Sequence, residues 1–551
     1  MAASSTSGDG SSFIAGPTSH ATSHSTSDAT SDATFDAIVI GAGHNGLTAA
    51  AVLAQAGLRT VCLDPKLYAG GMASTVELFD GYQFEIAGSL QFPTSLTVSK
   101  ELGLDTLPGV DLEVMSVSLR GVGDEPLVYY TDPMKLLTHL GEVHGAEAVN
   151  GMAGLMAWCA APTRALGRFD AGTAPKTFDE MYACAANAFE RSCINDLLFA
   201  SVSDVLDRYL PDREKHGALR GMLAFLAVNT TYRGPEVPGT AAALAYGLAV
   251  PDENAMLMKK LRGGIGALTT HLRELVESAG GQVRLRSRVE RILTEAGRVT
   301  GVRLEDGSTL RAPIVVSSLA PDLTVNTLLD PAAVPADVHE RYTRIDHRGS
   351  YLQMHFALDG IPEFAAPYEL LNDPAMQSAI GLFTTPEELQ EQWEASRHGV
   401  VPADPAIALQ IPSVHDPALA PEGKHAASAF ALWFPIGEHE TGYGDLKNEM
   451  GRRVIEKITR LAPDFESRII RHTTFTPKHM GTMFGAPGGD YCHGLLHSDQ
   501  IGPNRPGPRG FADQPIPLDG LYLGGSGCHG GPGITFIPGY NAGHLALADH
   551  S

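Results

Sequence analysis

The residues with the clearest chemical potential are three glycines spaced Gly41-x-Gly43-x-x-Gly46, followed later by an acid, Asp64. In this spacing, Gly41 permits a tight turn, Gly43 lets the backbone approach a pyrophosphate, and Gly46 lets a helix pack closely on a strand. The helix that follows would point free N–H groups and a favourable dipole at the phosphates. Asp64, about twenty residues on, is placed to accept a hydrogen bond from a ribose hydroxyl.

The segments around these residues have the composition of a βαβ unit. Residues 37–40 form an apolar run typical of a buried parallel strand, and residues 47–56 are rich in Ala and Leu, as in a helix. Residues 60–63 form a second short strand that ends at Asp64. Strand, glycines, helix, strand and acid in register favour a dinucleotide site over a glycine-rich turn of another α/β protein.

The next segment carries the paired glycines Gly70-Gly71, followed by Met72 and Ala73. Paired glycines let the main chain lie against a flat ring system, and Met72 offers a polarizable apolar contact. The alternative is a plain loop. Their position directly after the predicted ribose-binding acid favours a cofactor contact. The alternation that follows predicts a β-hairpin with Asp80-Gly81 as its turn.

Two later segments return to α/β character. One contains Val289, whose backbone would clasp an adenine, and continues into a hairpin with Asp306-Gly307 as its turn; the alternative is a hairpin unrelated to the cofactor. The other, Gly525-x-Gly527-x-x-Gly530, repeats the dinucleotide pattern, but the following Pro532 forbids an immediate helix. We therefore expect no second nucleotide site, and expect this segment to contact the reactive ring of the first cofactor.

The bulk composition sets the class of protein. A chain of 551 residues is too long for one compact core, and a net charge of −23 argues against nucleic acid or an anionic membrane as a partner. The six cysteines include no C-x-x-C pair, so neither a zinc ribbon nor a dithiol redox pair is predicted, and no metal is expected. Residues 1–34 have the composition of a disordered tail. The first basic residue is Arg59 and no apolar run could span a bilayer, so we predict a cytoplasmic protein without a transmembrane segment.

Residues 351–358 alternate as a half-buried strand does. Tyr351, Gln353 and His355 share one face, and Leu352, Met354 and Phe356 share the other. The polar face could line a cavity or be a solvated face of a sheet.

The motifs at Gly41–Gly46, Gly70-Gly71, Val289 and 524–541 resemble those of the phytoene desaturase-like flavoproteins, which share a fold with amine oxidases. The pattern Gly488-Gly489-Asp490-Tyr491-Cys492-His493 and the Gly-Ser-Gly-x-His element at 525–529 resemble in particular the branch named for pyridine nucleotide-disulfide oxidoreductase domain-containing protein 2. Two departures matter. Met72 stands where many desaturases have Arg, which disfavours a carotenoid substrate, and the lack of C-x-x-C disfavours disulfide chemistry.

The resemblance implies an α/β, two-domain FAD-dependent oxidoreductase fold: a Rossmann-like FAD domain plus a mixed α+β substrate domain. The FAD domain is expected from residues 35–95, 260–335 and 480–551, and the substrate domain from 96–259 and 336–479. The expected FAD-binding residues are Gly41, Gly43, His44, Asn45, Gly46, Asp64, Gly70, Gly71, Met72, Ala73, Val289, Gly524, Gly525, Gly533, Ile534 and Thr535.

For catalysis, His493 is the first candidate base, because an unperturbed imidazole titrates near working pH. Asp490 and Tyr491 are further candidates. Any one of the 21 histidines can instead have a structural role, and hydride removal needs no protein base if a cation forms and then loses a proton.

Three functions fit these residues and motifs. The first is a dehydrogenase, desaturase or oxidase that passes hydride from an apolar or amphipathic small molecule to flavin N5. The second is a redox-neutral isomerase like the carotenoid isomerases, and the third is a flavin-binding scaffold with little turnover. The substrate, the electron acceptor and the oligomeric state are not indicated by the sequence.

Overall fold

The glycine-rich turn lies at the carboxyl end of a strand in a five-stranded parallel sheet. The computed structural model describes residues 33–87, 94–119, 125–249, 259–436 and 443–550. In spatial order, the strands of this sheet are Gln282–Arg284, Thr60–Leu63, Ala37–Ile40, Ile314–Ser317 and Leu521–Leu523. The three central strands are buried along their whole length, because both faces of the sheet are covered.

Helices cover one face of this sheet and a second sheet covers the other. The helices are His44–Gln55, Gly266–Ser278 and Ile537–His550, and the first packs between the other two. The covering sheet has the order Ala33–Thr34, Thr309–Arg311, Arg298–Leu304 and Val289–Glu295. Its apolar side chains pack against Ile38, Val61 and Val315 of the parallel sheet.

Both predicted hairpin turns are present. The strands Thr75–Phe79 and Tyr82–Glu85 pair across Asp80-Gly81, and Arg298–Leu304 pairs with Thr309–Arg311 across Asp306-Gly307. The tail predicted for residues 1–34 is wrong at its last two residues, since Ala33 and Thr34 pair with Leu310 and Arg311. The rest of that prediction, residues 1–32, lies outside the described residues.

A second, seven-stranded mixed sheet forms the other half of the molecule. In spatial order its strands are Ile469–Phe475, Tyr351–Leu358, His425–Leu432, Ala406–Gln410, Ile380–Leu382, Val114–Leu119 and Leu127–Tyr130. Leu352, Met354 and Phe356 enter an apolar core on one face, which the helix Tyr443–Thr459 helps to cover. The opposite face carries Tyr351, Gln353 and His355.

A layer of helices packs over the end of this opposite face. These helices are Pro133–His144, Ala146–Leu166, Phe178–Ala183, Ala188–Phe199, Val202–Tyr209, Gly217–Thr231 and Ala241–Leu248. They share one apolar core, which includes the fully buried Trp158 and also receives Tyr351 and Trp433. Several begin at side-chain caps that the sequence supplies, such as Thr177 and Ser201, each part of a capping box.

The remaining elements connect these layers. The further α-helices are Leu96–Glu101, Pro321–Leu323, Ala336–Thr343, Pro386–Arg397, Phe465–Arg468 and Pro477–Phe484. Two further short strand pairs are Gly109–Asp111 with Lys259–Leu261, and Gly510–Phe511 with Gln514–Pro515. Within the described ranges, no helix combines the length and the apolar character needed to cross a bilayer.

The parallel sheet takes its strands from residues 37–63, 282–317 and 521–523, one group from each of the three segments predicted for the cofactor domain. The predicted α/β fold, with a Rossmann-like half and a mixed α+β half, is therefore confirmed, while the exact domain boundaries stay predictions.

Candidate active site

A cavity of about 680 Å³ is lined by residues of both sheets. It begins at the glycine-rich turn and reaches the polar face of the seven-stranded sheet. Most of the residues predicted for the site lie in its wall. They are Gly41, Gly43, His44, Asn45, Asp64, Gly71, Met72, Ala73, Val289, Tyr491, His493, Gly533 and Ile534.

The three glycines of the turn have different surroundings. Gly41 has a φ of +92°, which a side chain would strain. A Cβ on Gly46 would lie 1.8 Å from the carbonyl oxygen of Gly41, so no side chain fits there. A Cβ on Gly43 would meet no atom within 4 Å, because Gly43 faces the cavity. This open space beside the turn is where a pyrophosphate would fit.

The helix His44–Gln55 begins at this space with its N-terminus free of any side-chain cap. Asp64 lies beside it at the end of the next strand and is almost fully buried, at 7% exposure. Its two oxygens accept hydrogen bonds from the backbone N–H groups of Ala42 and Lys66, both at 2.9 Å. A carboxylate has further lone pairs, so Asp64 can also accept a ribose hydroxyl.

The paired glycines continue the wall. The N–H of Gly70 donates to the carbonyl of Ala42 at 2.7 Å, which fixes the loop against the glycine-rich turn. A Cβ on Gly71 would lie 3.3 Å from the Cα of Gly43, so the two glycines approach each other closely. Met72 and Ala73 follow in the cavity wall, which leaves an apolar surface next to the phosphate space.

Six of the predicted residues are absent from the cavity wall, and their contacts explain why. A Cβ on Gly46 would meet the carbonyl oxygen of Gly41, and a Cβ on Gly70 would meet the hydroxyls of Ser74 and Thr269. A Cβ on Gly524 or Gly525 would meet Ala542 or the carbonyl of Leu319. The hydroxyl of Thr535 donates to the carbonyl of Gly530 at 2.7 Å. These five residues shape the wall without facing the cavity; the sixth, Asp490, is described below.

His493 faces the cavity with both ring nitrogens buried and without a hydrogen-bond partner among the described residues. Burial lowers its pKa to about 4, so the imidazole is neutral at physiological pH. The argument that an unperturbed imidazole titrates near working pH therefore does not hold for this residue. Its φ of +56° is unusual for a residue other than glycine. The imidazole therefore projects into the cavity from a strained backbone turn.

Asp490 does not reach the cavity, contrary to its prediction as a catalytic candidate. It is fully buried behind the turn, where its carboxylate accepts the N–H groups of Cys492 at 2.8 Å and Gly494 at 2.7 Å. The ring of His347 lies between Asp490, at 3.5 Å, and Asp322, at 3.0 Å. Burial lowers the pKa of His347, but the two carboxylates outweigh it and raise the value to about 9. Asp490 therefore holds the turn of His493 in place.

Tyr491 lies in the wall as part of an aromatic cluster with Tyr232, Tyr351 and Phe430. Its hydroxyl donates to the backbone carbonyl of Asn229, and burial raises its pKa well above the ordinary value. A tyrosine held in this way provides a rigid apolar surface and does not ionise at physiological pH.

His44 lies in the wall near His493. Its ring hydrogen-bonds the backbone of Gly533 and contacts Phe536 edge-on, with 5.7 Å between ring centroids. Burial lowers its pKa to about 4. Asn45 joins the wall to the C-terminal segment: its amide nitrogen donates to Ser526 at 3.2 Å and its oxygen accepts the N–H of Gly539 at 3.4 Å.

The sequence predicts only some of the residues that line the far end of the cavity, next to the seven-stranded sheet. The face of Tyr351, Gln353 and His355 is buried, so its interpretation as a solvated face is wrong, and Gln353 lines the cavity. The alternation of residues along 351–358 is the sequence pattern that indicated Gln353. Other lining residues at this end have no local sequence pattern that predicts them, because they reach the site only through strand pairing and helix packing; among them are Phe225, Asn229, Gln410, Ser428 and Phe430.

Comparison with known proteins places this arrangement in a family. Residues 39–100 match the NAD(P)-binding Rossmann-like domain, and residues 208–546 match the flavin containing amine oxidoreductase family. Among solved structures, putrescine oxidase bound to putrescine superposes with a TM-score of 0.59 at 16% identity, covering 94% of this chain and 99% of that one. This likeness shows the shared fold.

Three relatives align over 93% of this chain. Pyridine nucleotide-disulfide oxidoreductase domain-containing protein 2 of Mus musculus is 28% identical, with 93% of its own length covered. A limonene dehydrogenase subunit of Castellaniella defragrans is 25% identical, with 94% covered. Prolycopene isomerase of Daucus carota is 24% identical, with 80% covered.

These matches confirm the resemblance that the sequence motifs indicated. The cavity has a turn suited to a dinucleotide at one end and, at the other, an aromatic chamber lined by Phe225, Phe430 and Tyr491, as a flavin-dependent enzyme requires. The chain belongs to the flavin containing amine oxidoreductase family, and it is an oxidoreductase with a flavin cofactor.

Proposed function

We propose that the protein is an FAD-dependent dehydrogenase or oxidase that removes hydride from a C–H bond of a small apolar or amphipathic molecule. The observation that carries this proposal is the single cavity that joins the open space at Gly43 to the aromatic chamber of Phe225, Phe430 and Tyr491. Such a cavity can hold a dinucleotide at one end and an organic substrate at the other.

The wall residues suggest how FAD is held. Gly43 and the uncapped helix N-terminus suit the pyrophosphate, Asp64 suits the ribose, and the backbone of Val289 suits the adenine. The segments 71–73 and 533–534 line the cavity between this end and the chamber, where a flat ring would lie. When bound, the flavin supplies the hydride acceptor that protein side chains lack.

The residues of this chain would orient the substrate and exclude water. His493 is neutral and neither of its ring nitrogens has a partner among the residues that the structure describes, so it can donate one hydrogen bond to the substrate or accept one from it. It would act as an orienting partner, because a pKa of about 4 makes it a weak base at physiological pH. Phe225 and Phe430 would hold the apolar body of the substrate.

A redox-neutral isomerase is the second candidate function. The alignment with prolycopene isomerase over 93% of this chain favours it, since that relative is named for an isomerisation. In that case the reduced cofactor would be required and would not be consumed.

Anaerobic spectroscopy tests both functions. The purified protein is loaded with FAD, freed of unbound cofactor, and mixed under nitrogen with panels of alcohols, ketones, amides, amines and terpenes. We expect at least one class to bleach the visible flavin band, and oxygen, a quinone or another carrier to restore it. Product formed only after prior chemical reduction would favour the isomerase instead. Failure to take up FAD would overturn both candidates.

A further inference from the structure

The chamber end of the cavity contains three carboxamides, those of Gln353, Gln410 and Asn229. Gln353, Gln410 and the side chain of Asn229 line the cavity and make no side-chain hydrogen bond within the part of the chain that the structure describes. Gln353 is only 5% exposed. Gln410 and Asn229 are half-buried. A buried amide without a partner costs free energy, so Gln353 in particular needs a ligand or water to complete it.

Strand pairing places two of these amides on one surface. Gln353 is opposite Phe430, and Phe430 is opposite Ala408, so these three form one row across three strands. His355, Ser428 and Gln410 form the next row. Gln353 and Gln410 therefore lie two strands and one row apart, roughly 12 Å between Cα atoms by ordinary strand geometry, and Phe430 lies on the strand between them.

Ser428 is not available in the same way, because its hydroxyl is 2.8 Å from Nδ1 of His355. His355 does not line the cavity, so among the cavity-lining members of these two rows the polar groups without a partner in the described residues are the two amides. The apolar surface between them belongs to Phe430, whose ring lies against Tyr351, with 5.2 Å between centroids, and edge-on to Phe225, with 6.2 Å.

The charged side chains of the cavity wall either lie outside the chamber or are neutralised by an oppositely charged partner. Asp64, Lys66 and Arg288 are at the dinucleotide end. Glu85 reaches the wall, but it accepts the N–H of Ile265 at 2.7 Å and lies 3.7 Å from the ammonium of Lys260. Both members of that ion pair are 3% exposed, so its charge is neutralised locally.

We infer that the substrate is an uncharged molecule with an apolar body and at least one carbonyl, hydroxyl or amide group that pairs with Gln353 or Gln410. This inference rests on the proposed function and names its substrate class. An amide can donate and accept hydrogen bonds but cannot neutralise an ammonium or a carboxylate, which would be costly to bury here. A pure hydrocarbon would fill the chamber but leave the amides without partners.

Four probes with the same ring test this inference: benzamide, benzylamine, benzoate and toluene. Their affinities for the FAD-loaded protein are measured by ligand-observed NMR. We expect benzamide to bind about tenfold more tightly than each of the other three, as one or two hydrogen bonds to a neutral group would give. Tighter binding of benzylamine, benzoate or toluene, or no detectable binding of benzamide, would overturn the inference.

Two variants assign the effect to the amides. Gln353→Leu and Gln410→Leu keep the size of the side chain and remove its polarity. We expect at least one of them to weaken benzamide binding about five- to tenfold and to leave toluene binding equal or stronger. The exposed Gln55→Leu, at the end of the helix His44–Gln55, is the matched control and should change neither. Unchanged benzamide binding in both chamber variants would contradict the inference.

Flavin content of the same samples separates the two proposals. A fully loaded protein that prefers a charged probe overturns the substrate class and leaves the FAD-dependent function standing. A folded protein that takes up no FAD overturns the function, and the substrate class with it.

Discussion

Gly43 faces open space, whereas its neighbours Gly41 and Gly46 face protein atoms. This difference lets one substitution test the cofactor site without disturbing the fold. A valine at position 43 would fit sterically in the empty protein, but its methyl groups would project into the space assigned to the pyrophosphate.

We therefore expect Gly43→Val to fold and to retain little or no FAD. The measurement is flavin absorbance per protein after desalting, together with a thermal melt of the unloaded protein. Gly444→Val is the control, since Gly444 is exposed and a Cβ there also meets no atom within 4 Å. A yellow, fully loaded Gly43→Val protein would contradict the assignment.

His493 lends itself to a second test at this scale. Its positive φ makes asparagine a better replacement than alanine, because asparagine tolerates the left-handed region. We expect His493→Asn to lower kcat roughly tenfold or more while flavin content is unchanged, because the shorter asparagine amide cannot reach the position of the imidazole Nε2 and an orienting hydrogen bond from there is lost. Steady-state turnover with a substrate that bleaches the flavin is the measurement.

The exposed His398→Asn serves as the control for this substitution. In the unmodified protein, the profile of kcat against pH should contain no step from His493 near pH 6.5, because burial lowers its pKa to about 4. Unchanged kinetics in His493→Asn would assign the residue to structure alone.

At the scale of elements, the carboxylate of Asp64 joins the glycine-rich turn to the end of the neighbouring strand. Its hydrogen bond from Ala42 stabilises the turn even before any ligand is present. Asp64→Ala should therefore weaken FAD binding by about 1–3 kcal/mol and also lower the melting temperature of the unloaded protein.

Asp64→Asn, compared with Asp64→Ala, separates the structural hydrogen bond from the contact with the ribose. Its remaining carbonyl oxygen can still accept the N–H of Ala42, so we expect the unloaded melting temperature to recover more fully than the FAD affinity. Titration calorimetry with FAD and a thermal melt measure the two effects. Equal recovery of both, or of neither, would contradict a separate contact between the carboxylate and the ribose.

The elements also show what sequence can and cannot predict. The turn at Gly41, the helix after it and the strand ending at Asp64 are contiguous, so local patterns were enough to predict them. Gln353 and Gln410 come onto one face of the sheet only through pairing of both their strands with His425–Leu432. The carboxylates of Asp322 and Asp490 around His347 likewise come from segments far apart in the chain. Contacts of this kind leave no periodic signal in the sequence.

At the scale of the whole molecule, four buried histidines link stability to pH. Burial lowers the pKa of His44, His493 and His529 to about 4 and that of His355 to about 3. In the unfolded chain each would titrate near 6.5. Their neutral forms therefore stabilise the folded state fully above pH 6.5, and this contribution is lost as the pH falls from 6.5 towards 4.

We expect the free energy of unfolding to decrease in that range, by about 1.4 kcal/mol per pH unit for each histidine at most. Denaturant titrations at several pH values measure the slope. His355→Gln should reduce the slope of the free energy of unfolding against pH by about the contribution of one histidine. His347, with a pKa raised to about 9, has the opposite sign: its contribution is complete below pH 6.5 and is lost as the pH rises through 9. A flat profile between pH 4 and 6.5 would contradict this account.

The hydrogen bonds from Asn45 to Ser526 and from Gly539 to Asn45 have a consequence for biosynthesis. The glycine-rich turn emerges from the ribosome early, but Ser526, Gly533 and Ile534, which complete the cavity wall, are translated hundreds of residues later. A nascent chain in which only the first βαβ unit has been synthesised lacks the C-terminal residues that would enclose the flavin ring. Cofactor loading should therefore follow synthesis of this last segment, and ribosome-bound chains stalled before it should carry no flavin.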